Sequence, residues 1–306
     1  MKRYARDNLD CKAGRQGLKP RNFEYLAPNT LAGAYDLLTE HGDEAKAIAG
    51  GQSLVPMMNL RVASPTMLID IGNIDELHGI TRNGDMLRIA ALTRHNEIAS
   101  SDLVARCAPL LAKAVKFVAH MAVRNRGTFG GSCCHADPSA EFPACCVLLH
   151  AVMELGSARG SREVSASEFF EGPFTTAIAP DELLLAVHIP VAQPDALFAF
   201  RELSRRHGDF AMSGVAARAR RAGERWNTDW VAFGVSDRPV QLSNIKGLFD
   251  EIGVAQAAPD RVRAALAQDL QLDLYEEGIE IKRIWTAELI DRCRAEFADW
   301  YSGRAV

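Results

Sequence analysis

The stretches Ala49-Gly50-Gly51-Gln52-Ser53 and Thr128-Phe129-Gly130-Gly131-Ser132 decide how this chain reads. Each follows an apolar run, and each ends in a small hydroxyl residue. A Gly-Gly pair lets the backbone take positive φ and approach a ligand with no Cβ in the way. Successive free N–H groups in such a turn form a concave donor nest that suits a phosphate. Two nests on one chain match the two phosphates of one dinucleotide. Neither turn is a P-loop, because no Gly-Lys-Ser/Thr follows, and neither holds Gly-x-Gly-x-x-Gly. A lone glycine pair usually marks only a tight connection, so the reading rests on the pairing and on the donors Gln52, Ser53 and Ser132 beside it.

The surrounding chain bounds the fold. It has 306 residues, 48% of them apolar and 24% charged, which suits a globular protein of roughly two domains. A chain of this size buries a large core without a disulfide or metal staple. Its net charge of −4 argues against general nucleic-acid binding, which leaves a basic footprint. No run approaches the roughly 18 apolar residues of a membrane span. Lys2, Arg3 and Arg6 have no apolar stretch after them, unlike a secretory signal, so the expected location is the cytoplasm.

Residues 1–20 are polar and without periodicity, and are expected to be a flexible extension. The apolar spacing predicts a helix from Thr30 to Leu38, and strands at Ala45–Ala49, Met67–Ile71 and Met86–Leu92. A helical region is expected from Thr93 to about His120, and a further helix over Ser139–Leu149. Strands follow at Leu183–Ile189, Phe198–Leu203, Gly214–Arg220 and Trp230–Val235, the third of these half-exposed because Arg218 and Arg220 alternate with small residues. Two helices, Pro259–Gln268 and Lys282–Trp300, are expected to finish the chain. Pro190 to Pro194 is the best linker. The expected division is therefore 21–190, with subdomains of about 21–75 and 76–190, followed by 195–306.

The seven cysteines are Cys11, Cys107, Cys133, Cys134, Cys145, Cys146 and Cys293. None forms a C-x-x-C pair, so a zinc or thioredoxin-type site is poorly supported. Adjacent cysteines are equally unsuited to an iron–sulfur cluster. No metal site is expected, and the doublets read as small apolar residues packed near glycine turns. His120, His135 and His207 have no triad or paired-carboxylate partner, so no catalytic residue is assigned. Arg205, Arg206, Arg218, Arg220 and Arg221 read as a solvated face.

At Ala-Gly-Gly-Gln-Ser-Leu-Val-Pro (49–56) and Leu-Ile-Asp-Ile (68–71) the chain resembles the FAD-binding medium subunit of the molybdenum hydroxylases, the family of xanthine dehydrogenase and carbon monoxide dehydrogenase. The block Arg124-Asn125-Arg126-Gly127-Thr128-Phe129-Gly130-Gly131-Ser132, continuing through His135-Ala136-Asp137-Pro138-Ser139-Ala140-Glu141-Phe142-Pro143, is similar too. A third match is Leu203-Ser204-Arg205-Arg206-His207-Gly208-Asp209-Phe210-Ala211. Three motifs in order, across about residues 22–300, make the resemblance specific.

The resemblance implies an α+β, PCMH-type FAD fold: two α/β subdomains, then a smaller C-terminal domain of strands followed by helices. It implies that Ala49, Gly50, Gly51, Gln52, Ser53 and Thr128, Phe129, Gly130, Gly131, Ser132 hold the FAD diphosphate. Asp137 lies in the same block, and Glu141 matches an acidic position that contacts the nucleotide half. Leu184 and Arg201 match positions near the flavin ring, and Asp209 and Phe210 sit near the isoalloxazine. The implied role is an electron-transfer subunit. Its partners would be a large molybdenum-cofactor subunit and a small [2Fe–2S] subunit, as a heterotrimer or its dimer, with an external electron acceptor. Two alternatives stand beside it: a stand-alone FAD oxidoreductase of the same fold, and a nucleotide-binding scaffold with no redox role. Cys133-Cys134 and Cys145-Cys146 depart from the family pattern, in which small aliphatic residues are more common.

Overall fold

The computed structural model describes residues 19–223, 225–270 and 278–301. Residues 1–18, most of the expected extension, lie outside the described residues. The first unit runs β1 (Glu24–Leu26), α1 (Leu31–His41), β2 (Ala45–Ile48), α2 (Leu54–Asn59) and β3 (Met67–Asp70). Its three strands pair in parallel in the order β1-β3-β2. Helix α1 starts where expected because the Thr30 side chain accepts the Gly33 N–H at 3.1 Å, an N-cap contact. Ala34 and Leu38 on its inner face are buried against Ile69 and Leu77.

The second unit opens with the hairpin β4 (Ile80–Asn83) and β5 (Met86–Ala90). The single helical region expected after it is three short helices: α3 (His95–Ser100), α4 (Asp102–Cys107) and α5 (Pro109–Ala114). Two local causes break it. The Ser101 hydroxyl caps α4 by accepting the Val104 N–H. Pro109 drives Ala108 out of the helical region, to φ −139° and ψ 65°. Then come α6 (Met121–Arg124), α7 (Phe129–His135), α8 (Glu141–Leu148), β6 (Val152–Ser157), β7 (Gly160–Ser165), α9 (Ala166–Phe169), β8 (Phe170–Gly172), β9 (Thr175–Thr176) and β10 (Leu183–Pro190). Five strands form an antiparallel sheet ordered β4-β5-β10-β6-β7. Every residue of α8 is buried, which is why its sequence after Glu141 is apolar all round.

Residues 191–196 cross to the third unit: β11 (Leu197–Leu203), β12 (Ser213–Ala222), β13 (Arg225–Phe233) and β14 (Val240–Gln241), an antiparallel sheet in sequence order. Three helices follow, α10 (Ser243–Ile252), α11 (Pro259–Asp269) and α12 (Ile279–Tyr301). Helix α10 was not among the sequence expectations.

Side chains alternate across a sheet with period two, and here both faces are used. Phe198, Phe200, Ala216, Val231 and Phe233 enter the core of the second unit. Ala199, Val215, Ala217, Trp230 and Ala232 pack with Leu248, Phe249, Leu266 and Phe297 of the helices. The half-exposed reading of 214–220 therefore needs correction. Gly214 to Ala217 is buried on both faces, and only the far end opens to water, where Arg218 pairs with Asp229 and Arg220 with Asp195.

Candidate functional site

The first glycine segment leaves the end of β2, the edge of the parallel sheet. Gly51 takes φ +70°, which favours glycine. The turn is tied from behind: Val55 donates its N–H to the Gly51 carbonyl at 3.1 Å, and the Gln52 amide donates to the Gly50 carbonyl at 3.1 Å. Among the described residues the N–H groups of Gly50, Gly51, Gln52 and Ser53 have no protein acceptor. The Ser53 hydroxyl, exposed at the head of α2, makes no cap contact. Four successive donors without partners in a concave turn fit an anion such as a diphosphate.

The second segment is different, and the expectation of a second free nest is corrected. Residues 129–132 are the first turn of α7, not a loop. Phe129 donates its N–H to the Thr93 carbonyl and Gly130 to the Ala91 carbonyl, both at 2.8 Å. Gly131 donates to the Thr128 hydroxyl at 3.1 Å, and Ser132 to the Thr128 carbonyl at 3.0 Å. Every early N–H of this turn is spent inside the protein. What Gly130 supplies is close packing: a Cβ there would lie 2.6 Å from the Ala91 Cβ.

The two segments meet. A Cβ on Gly50 would overlap the Arg126 carbonyl oxygen and stand 2.9 Å from Gly127 Cα. A Cβ on Gly131 would lie 3.9 Å from the Ala49 Cβ. Arg126 is exposed and has no ion-pair partner among the described residues. Arg124 donates to the Val118 and Ala119 carbonyls, and Arg94 to the Asn125 carbonyl. Three guanidinium groups without a carboxylate partner thus come from the residues around this turn.

Beneath it sits a histidine that sequence reading used only as a helix start. His95 is 5% exposed, lies under Gly127 and packs its ring 5.2 Å from Phe142. Phe142 in turn meets Phe129 edge-on at 4.9 Å. Burial, aided by the charge of Arg124, lowers the His95 pKa to about 4, so its ring is neutral at pH 7. Its Nδ1 has no partner.

Asp137 accepts the Ser139 N–H at 2.9 Å and shapes the loop into α8, and Pro138 accepts the Gly234 N–H at 2.8 Å from the third unit. Glu141 is buried at the start of α8, and burial raises its pKa to about 7. Glu202 on β11 is the residue sequence reading missed. Both its oxygens are buried and have no well-formed hydrogen bond among the described residues; burial followed by the Glu141 charge raises its pKa to about 8, against a smaller lowering by the Ser204 hydroxyl. No local pattern singles out a glutamate that a distant helix covers.

This pair sets a pH dependence. In the unfolded chain Glu141 ionises near 4.5, whereas in the fold it holds its proton to about 7. The folded state therefore binds more protons between these values, and stability falls as pH rises through them. The size of the fall is roughly 3 kcal/mol for Glu141 alone. Urea unfolding of the flavin-free chain at pH 5 and pH 8 is expected to show that loss, and Glu141→Gln is expected to reduce it. An unchanged slope in the variant counts against the assignment.

The remaining expected residues sit on other elements: Leu184 on β10, Arg201 on β11, and Asp209 and Phe210 in the loop after β11. The Leu184 side chain is 3% exposed in the core, at a bulge of β10. Arg201 pairs with Glu296 of α12 at 2.6 Å, a carboxylate shared with Lys113. Asp209 and Phe210 lie in the exposed 204–210 loop, and the Phe210 ring is 73% exposed. That loop is seated on the 117–120 turn, where His207 stacks on Phe117 and Gly208 abuts His120. No hydrogen bond or ion pair among the described residues links Leu184, Arg201, Asp209 or Phe210 to either glycine segment. Among the described residues no three His, Cys, Asp or Glu side chains are grouped to hold a metal ion. Nor is any described helix long and apolar enough to cross a membrane.

Fold and cradle define an α+β nucleotide-cofactor protein with a smaller unit of strands and helices behind it. Residues 21–192 match the family described as the FAD binding domain in molybdopterin dehydrogenase, and the chain belongs to that family. It is 40% identical over 200 residues to the 6-hydroxypseudooxynicotine dehydrogenase complex subunit alpha of Paenarthrobacter nicotinovorans, covering 65% of this chain and 68% of that one. The carbon monoxide dehydrogenase medium chain of Hydrogenophaga pseudoflava is also 40% identical, over 67% of this chain and 71% of its own. Among solved structures, carbon monoxide dehydrogenase from Hydrogenophaga pseudoflava superposes with a TM-score of 0.84 at 32% identity, over 94% of this chain and 99% of that one. The chain is a flavoprotein subunit of the oxidoreductase class.

Proposed function

We propose that this chain is the electron-transfer subunit of a heteromeric molybdenum hydroxylase. In this reading it receives electrons from [2Fe–2S] clusters on a small partner subunit. It passes them to an external acceptor, while substrate is oxidised at a molybdenum cofactor on a large subunit. The observation that carries the reading is the row of four unpartnered N–H groups at Gly50–Ser53, held against Arg126 and Gly127. These donors fit the FAD diphosphate, with the arginines supplying the opposite charge. The names of two relatives support the assembly: one is a medium chain, the other a subunit of a dehydrogenase complex.

The bound flavin supplies the redox chemistry, accepting electrons singly and releasing one or two. The chain supplies binding and orientation. Ala49 to Ser53 hold the diphosphate through backbone donors. Phe129 to Ser132, capped by Thr128, form a rigid wall, because their own N–H groups are already engaged. Asp137 and Glu141 bound the nucleotide half, with Glu141 protonated below about pH 7 and so repelling the phosphates less there than an ordinary carboxylate does. Leu184, Arg201, Asp209 and Phe210 lie on the flavin side.

Expressed alone, the chain is expected to carry a flavin spectrum that bleaches with dithionite. Expressed with a large molybdenum subunit and a small iron–sulfur subunit, it is expected to purify as one complex with them. A colourless chain that cannot be reconstituted with FAD would sink the proposal. Substrate turnover by the isolated chain would replace it with a stand-alone oxidoreductase.

A further inference from the structure

The two cysteine doublets that depart from the family pattern meet through one cysteine of each. Cys133 lies on α7 and Cys146 on α8, and both are fully buried. Their Sγ atoms are 3.9 Å apart, a packed thiol–thiol contact between two neighbouring helices. A disulfide needs about 2.05 Å between sulfurs, so closure asks for a relative movement of about 2 Å. Cys133 lies one residue past the turn of α7 that Ala91 and Thr93 hold, so the adjustment falls on the second turn of α7 and on α8, not on the glycine turn.

We propose that Cys133 and Cys146 form an oxidation site at which a peroxide closes a disulfide between α7 and α8. A thiolate of the pair attacks one peroxide oxygen. The O–O bond breaks, hydroxide leaves, and the sulfur becomes a sulfenic acid. The second thiol then attacks that sulfur, the S–S bond forms, the S–O bond breaks, and the oxygen leaves as water. The sum is two thiols and one hydrogen peroxide giving one disulfide and two waters. The sulfurs lose two electrons in all, and the peroxide gains them.

The first step is the slow one. The contact with Cys146 and then burial hold the Cys133 thiol in its protonated form, and a thiol is a far weaker nucleophile than a thiolate. The second step is fast because the partner sulfur already touches. The site therefore ignores brief exposure and responds to sustained peroxide. Closure ties α7, one residue past its first turn, covalently to the helix that Glu141 begins. None of this requires a bound flavin, so the proposal stands or falls separately from the proposed function.

The test uses the full chain, treated with hydrogen peroxide, blocked with an alkylating agent and digested without reductant. Trypsin leaves all four cysteines on one peptide, because no Lys or Arg lies between Arg126 and Arg159. Cleavage before Asp137 separates the two doublets. The expected product is a cross-linked pair of peptides that dithiothreitol releases. Cys134→Ala and Cys145→Ala are expected to keep the cross-link, and Cys133→Ala or Cys146→Ala to abolish it. The proposal is overturned if wild type forms no cross-link under sustained peroxide, whether its thiols stay reduced or over-oxidise, or if the cross-link survives in Cys133→Ala.

Discussion

Gly50→Val is expected to leave the chain without flavin. The physical reason is not that a side chain would fill the ligand's place. It is that Gly50 rests on the backbone of Arg126 and Gly127, with a Cβ overlapping the Arg126 carbonyl oxygen and 2.8 Å from its carbon. Main chain cannot rotate away as a flexible side chain can, so the two segments must part. Overpacking of this kind costs about 1–3 kcal/mol, and branching at Cβ adds to it. The loss falls on the turn that presents the four free donors, so their alignment goes first. The flavin-to-protein ratio measures this directly. Gly131→Ala is expected to lose less, because its nearest neighbour is the Thr128 hydroxyl at 2.7 Å, a side-chain group that can turn aside at the loss of its N-cap contact, about 1 kcal/mol. Gly42→Ala is the control: φ there is +48° and ψ −129°, with nothing within 4 Å, so only backbone strain of about 1–3 kcal/mol is expected, with flavin binding kept. Full flavin in Gly50→Val would remove the joint between the segments from the account of binding.

Phe142→Ala is the second large effect. This ring is fully buried at the start of α8, edge-on to Phe129 at 4.9 Å and 5.2 Å from His95. Removing it empties the space beneath α7, where neither neighbour can collapse, since Phe129 is pinned by its N–H to Thr93 and His95 by its N–H to the Gly127 carbonyl. Deleting a buried phenylalanine side chain costs about 3–5 kcal/mol. The melting temperature of the flavin-free chain is expected to fall by many degrees, with flavin bound more weakly in what remains folded. A loss under about 1 kcal/mol would mean the site repacks freely, contrary to this geometry.

Much of the architecture is legible in the residues. Strands β2, β3, β5, β10 and β11 show as apolar runs with clear ends, and Thr30 and Pro190 mark boundaries by their own chemistry. The glycine pairs are equally visible, but their physical use is not. Gly130 and Gly131 look like a loop; a helix forms because Thr128 caps it and Ala91 and Thr93 accept its first donors, and both partners lie some 35 residues upstream. Helix α10 escaped notice although Ile245, Leu248 and Phe249 fall on one face, because Gly247 at its centre lowers helix preference by about 1 kcal/mol. Glu202 and His95 escaped for a different reason. Burial of a polar side chain against distant elements leaves no mark in its neighbours along the chain.

The contact between Gly50 and the Arg126–Gly127 backbone has a kinetic consequence. The contact is between two stretches of the chain's own backbone, so the spacing of the two walls is set as the chain folds, and capture does not wait for a hinge to close. Encounter is then limited by diffusion and orientation rather than by a rearrangement, and related ligands should differ mainly in how slowly they leave. The entropy of ordering the turn is spent when the chain folds, so the ligand does not bear it on arrival.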